Sequence, residues 1–198
     1  MRPAARAVWR YILVSICCGW GLYAHALTPT AEEYAVLSAV IGHGLPPDTK
    51  TIAISARTTG KPETVVPPGA DLQALATKLE TTPALLYFWT SLNRETATLE
   101  AKFTLKAKVE LVDEALRAKL FAGDDPAASW ERFHKRFPHA PGLLSVSRVA
   151  LDDAQANALV YVEFACGPTC GTGRLIRLAR VNTTWAVLSG ELMWVAGE

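Results

Sequence analysis

The stretch GLLSVSRVALDDAQANALVYVEFACGPTCGTGRLIRLARVNTTWAVLSGELMWV, residues 142–195, decides the fold. Four apolar runs follow one another in it: Leu144 to Leu151, Ala158 to Cys166, Gly173 to Val181 and Trp185 to Val195. Asp152-Asp153, Gly167-Pro168-Thr169 and Asn182-Thr183 punctuate them. Parallel neighbours need a crossover of roughly a dozen residues or more, and these links are far shorter. The pattern therefore predicts an antiparallel meander.

Upstream of this stretch the periodicity is mostly helical. Thr28 can cap a helix whose first turn holds Pro29, Glu32 and Glu33, and Tyr34, Leu37, Ser38 and Ile41 follow at helical spacing until Gly42 and Gly44. Thr51 to Ala56 is short and β-branched, which predicts a strand, and the Gly- and Pro-rich residues 57–70 read as a surface loop. Asp71 to Leu79 carries Leu72, Leu75, Ala76 and Leu79 on one helical stripe. Ala84 to Leu92 fits either a helix or a buried strand, because short apolar runs do not separate the two. From Phe103 to Leu111 apolar residues alternate with Lys102, Thr104, Lys106, Lys108 and Glu110, the mark of a strand with one wet face. Asp113 to Phe121 returns to helical spacing, and Trp130, Phe133 and Phe137 share a face of a further helix. Helices thus precede most of the sheet residues. The expectation is an α+β domain, with an antiparallel meander of about four to six strands and helices packed mainly on one face.

The first 26 residues read as a secretory signal peptide. Arg2, Arg6 and Arg10 form a positive start, residues 11–24 are uncharged and mostly apolar, and Ala24-His25-Ala26 ends the run with the small residues a signal peptidase accepts. Cleavage before Leu27 leaves residues 27–198 as one domain, helix-rich at first and a β-meander from about residue 142. A retained anchor is the competing reading, although a membrane-spanning helix needs about 20 apolar residues and this run is shorter. The membrane enters only through that segment. Removing it takes three of the 20 basic residues and none of the 19 acidic ones, so the mature chain is weakly acidic. Nucleic-acid binding needs clustered Lys and Arg, and that balance argues against it. Export points to the periplasm or the extracellular space, where disulfides persist.

The pattern Trp130-x-x-Phe133, Phe137-Pro138, Gly142, Ser147-Arg148-Val149, Ala158-Leu159-Val160-Tyr161-Val162, Cys166-Gly167-x-x-Cys170-Gly171-x-Gly173 and Trp185-x-Val187 resembles a group of small exported bacterial proteins. The helix bearing Glu33-Tyr34 resembles theirs as well. No activity is assigned to that group, so the resemblance implies export and the β-meander and carries no functional residues.

Candidate chemistry is sparse. Cys166 and Cys170 survive leader removal, but three residues separate them and strands flank both sides, unlike a Cys-x-x-Cys pair at a helix start. Across the mouth of a hairpin they fall within disulfide range, and so small a loop adds about 2 kcal/mol in the chain-entropy model. His134 and His139 are too few and poorly spaced to complete a zinc site with them, so no metal is expected. Asp124, Asp125, Glu131, His134 and His139 form the one polar cluster that could host acid–base work, or else an ordinary acidic helix start with solvated side chains. Arg174, Arg177 and Arg180 recur every three residues, which on a strand sends Arg177 to the opposite face. No nucleophile elbow, phosphate-binding loop, zinc-protease or dinucleotide motif occurs, and no cofactor is expected. The leading expectation is a non-enzymatic exported domain that binds a protein or a small ligand on its sheet or in a helix–sheet cleft. A small cell-envelope hydrolase using residues 124–139 and a thiol–disulfide protein using Cys166 are the alternatives.

Overall fold

A computed structural model describes residues 28–197. The expected signal peptide, with Ala24, Ala26 and Leu27 at its expected cleavage point, lies outside the described residues.

Each of the five α-helices among the described residues opens on an oxygen-bearing side chain that accepts from the first-turn backbone. Helix α1 (Ala31–Gly44) starts at Thr30 with a reciprocal capping box to Glu33, two residues later than Thr28. Asp71 caps α2 (Leu72–Lys78), and Thr82 caps α3 (Pro83–Leu92), whose helical state resolves the ambiguity of that apolar run. Asp113 caps α4 (Glu114–Leu120), and Asp125 caps α5 (Pro126–Arg136).

Among the described residues seven strands form one sheet: β1 (Thr51–Ser55), β2 (Lys108–Val112), β3 (Leu143–Val146), β4 (Ala150–Leu151), β5 (Asn157–Gly167), β6 (Cys170–Val181) and β7 (Thr184–Val195). Their order is β2-β1-β3-β5-β6-β7, with β4 also paired to β5. The α+β class and the antiparallel β3-β5-β6-β7 run match the sequence reading. The purely antiparallel meander does not, because β1 pairs in parallel with both β2 and β3. The chain between these strands is long enough for crossovers, and α2 to α5 occupy it.

Two strand expectations also need correction. The Leu144–Leu151 run is interrupted at Ser147-Arg148-Val149 and becomes β3 and β4. The alternation from Phe103 places its lysines in solvent as expected, yet ladder pairing begins only at Lys108. Side chains of α1 hold the preceding residues instead: Tyr34 Oη accepts from Glu100 N at 2.7 Å and Ser38 Oγ from Thr104 N at 2.9 Å.

Helices cover both faces of the sheet rather than one. Strand alternation turns Ile52, Ile54, Leu144, Val146, Ala158, Val160 and Leu178 toward Tyr34, Leu37, Val40 and Ile41 of α1. The other face carries two separate clusters. In one, Leu159, Tyr161 and Leu175 meet Ala76 of α2 and Leu85, Leu86 and Trp89 of α3. In the other, Ala53, Val112 and Leu143 meet Leu120 of α4 and Phe133 of α5.

Candidate functional site: a polar cleft across the sheet

Between those two clusters the sheet carries a polar row. Ser145 pairs with Glu163, one alternation beyond Leu143 on β3 and Tyr161 on β5, and so faces the same side as they do. Ser55 stands two residues past Ala53, immediately beyond the Ile54–Leu144 pair, and its partner on β2 is Val112. Ser55, Ser145 and Glu163 thus floor a cleft of about 290 Å³. It sits at the carboxyl ends of parallel β1 and β2, where open sheets commonly hold ligands.

The chain leaving β1 builds one wall. Buried Thr58 accepts from Ala97 N through Oγ1 at 2.8 Å, and Thr59 N donates to Val146 O at 2.8 Å. Arg57 donates through Nε (3.2 Å) and Nη2 (2.5 Å) to Thr96 Oγ1, and Ser55 Oγ donates to Arg57 O at 2.9 Å. Glu114 and Arg117 of α4 form the other wall. Ser145 Oγ and the Glu163 carboxyl make no hydrogen bond among the described residues. Burial pushes the Glu163 carboxyl above its usual range, and the Arg117 charge draws it part of the way back without forming an ion pair.

A second polar constellation is buried and closed. At the β3–β4 interruption, fully buried Ser147 accepts through Oγ from Trp89 Nε1 (3.0 Å) and Tyr161 N (2.9 Å) and donates to Arg148 O (2.7 Å). Arg148 makes a two-pronged contact with Glu33, Nε to Oε2 and Nη2 to Oε1, both at 2.7 Å. Asn93 Oδ1 accepts from Arg148 N at 2.7 Å, and Val149 N donates to Glu33 Oε2 at 3.2 Å. With its partners in place, this network welds α1 and α3 to the broken strand.

The residues singled out from the sequence lie elsewhere. The sulfurs of Cys166 and Cys170 are within bonding distance and their Cα atoms are 5.1 Å apart. The expected three-residue loop is a two-residue turn, Pro168-Thr169, closed by the Gly167–Cys170 pair. Cys166 occupies a bulge between Ala165 and Gly167 that brings it back toward Cys170. Asp124, Asp125, Glu131, His134 and His139 are exposed, and no hydrogen bond or ion pair joins them to one another among the described residues. Asp125 Oδ1 accepts from Ala127 N and Ala128 N, whereas His134 Nε2 lies 3.2 Å from Cys166 O. Among the described residues no three His, Cys, Asp or Glu side chains converge as a metal site would require. Arg177 does point away from its neighbours: it donates to Asn157 Oδ1 at 2.8 Å, while Arg180 pairs with Glu32 on the α1 face.

The polar cleft escaped the sequence reading, although one signal was present. Glu163 is the only charge in the run Ala158–Cys166, and a charge in a strand otherwise fit for burial marks an exception to local consistency. Fold and cleft together define a three-layer α+β protein with a small polar recess on one face of its sheet. Comparison with models of protein families, with curated proteins and with solved structures found no match.

Proposed function

We propose that this chain is an exported, non-enzymatic domain that holds a small polar ligand over Ser55, Ser145 and Glu163. Glu163 carries the proposal. The Glu163 carboxyl is half-buried, accepts no hydrogen bond from the protein among the described residues and opens onto the recess, so a ligand donor meets an uncommitted acceptor there. The volume of about 290 Å³ suits a molecule of metabolite size. Ser55 Oγ donates to Arg57 O, and neither serine donates to the Glu114 or Glu163 carboxyl, so among the described residues no nucleophile–base pair is set up in the cleft. The leader pattern and the resemblance to exported bacterial proteins support the location.

The test is a titration of the isotope-labelled protein with L-amino acids, monosaccharides, dicarboxylates and polyamines, followed by amide chemical shifts. The expected result is saturable shifts at Ser55, Ser145 and Glu163, abolished by Glu163→Gln while the remaining spectrum is unchanged. Silence at those three amides across the whole panel would refute the reading.

A further inference from the structure

We infer that the cleft selects a zwitterion of α-amino-acid type, its ammonium on Glu163 and its carboxylate on Arg117. The inference rests on the cleft being the binding site and adds the class of ligand.

Two opposite charges face the recess without joining. Glu163 rises from the floor with no donor bound to it, beside the unengaged Ser145 hydroxyl. Three acceptor oxygens grouped in that way suit a group with three N–H donors, which is what an ammonium is. Arg117 stands on the α4 wall, where its guanidinium makes no hydrogen bond among the described residues and lies 5.8 Å from the Phe121 ring centre. Arg57, the other guanidinium at the cleft, is already committed to Thr96. Arg117 is close enough to Glu163 to lower its pKa, yet the two make no ion pair. The gap between them is left for something else to bridge.

Simple ligands of one charge fit badly. A pure cation meets Arg117, a pure anion meets Glu163 and Glu114, and either contact discriminates against it. A neutral sugar can hydrogen-bond to both groups but neutralises neither charge. A molecule carrying both charges a few atoms apart satisfies both ends at once. Val112 is the one apolar residue in the lining, so the recess favours small polar side chains over aromatic or branched aliphatic ones.

The experiment measures affinity by calorimetry for the common L-amino acids, for the amide and the N-acetyl derivative of the tightest binder, and for glucose and putrescine. The expected result is binding of a small polar amino acid, with each derivative weaker by about tenfold or more. Arg117→Gln should erase the preference for the free acid over the amide, and Glu163→Gln the preference for the free amine over the N-acetyl form. Derivatives that bind as well as the parent would overturn the inference. Glucose or putrescine binding at the cleft in place of amino acids would also overturn it and leave the binding reading intact. No binding by any probe would remove both.

Discussion

Gly173 shows how much one missing side chain can decide. A Cβ built there would lie 2.1 Å from Trp194 Nε1 and 2.2 Å from Tyr161 Oη, two atoms that are themselves hydrogen-bonded at 2.5 Å. Both neighbours are large ring systems wedged against the α2–α3 cluster, so neither can retreat without opening a void. Gly142 is equally confined, with Ala165 O at 2.3 Å from its virtual Cβ. Gly173→Ala should destabilise the fold by about 1–3 kcal/mol, the usual penalty for overpacking. Urea unfolding monitored by tryptophan fluorescence measures it, and an unchanged midpoint would mean that Trp194 does not sit over the glycine. Gly171 and Gly173 of the Cys–Gly pattern are thus legible as a pattern, but their reason is a tryptophan some 20 positions away in sequence.

At the scale of elements, local chemistry was readable and interruptions were not. The helix starts at Asp71, Asp113 and Asp125 and the strand runs of β5 to β7 follow from neighbours a few residues apart, whereas α1 is capped two residues later than expected and α3 fitted a strand as well as a helix. The β3–β4 break depends on Glu33, Trp89 and Asn93, which reach Ser147-Arg148-Val149 from two helices distant in sequence. A run such as Leu144–Leu151 looks continuous until those partners are known. The β5–β6 hairpin raises a different matter, because its disulfide spans so few residues. Paired Cys166→Ser and Cys170→Ser substitutions should lower stability by about 2 kcal/mol while the hairpin stays formed through its own β5–β6 ladder. Chemical denaturation of both forms, with amide exchange across residues 157–181, measures the two effects separately. Loss of exchange protection throughout the hairpin would show that the bond organises the turn rather than merely fastening it.

For the molecule as a whole, the half-buried Glu163 carboxyl on the sheet couples stability to pH. Burial, only partly offset by Arg117, holds the folded Glu163 pKa above its unfolded value. The folded state therefore retains its proton more firmly. The contribution is fully present below the unfolded value and is lost as pH rises through the folded one. Relative to Glu163→Gln, the wild type should match most closely in acid and fall behind once pH passes that range. Unfolding midpoints of both proteins measured from acid to neutral pH test this. A gap independent of pH would mean that Glu163 is as well solvated in the fold as in the unfolded chain.

By itself, the amino-acid sequence determined the α+β class, the positions of most helices and the antiparallel half of the sheet. Each of these depends on periodicity, capping or short connections, all of which act over a few residues. Only the tertiary structure decided that β1 lies parallel between β2 and β3, that α1 takes the face opposite the other helices, and that Ser55, Ser145 and Glu163 share a cleft. Those outcomes depend on how segments dozens of residues apart bury their apolar faces together, and no local pattern carries that information.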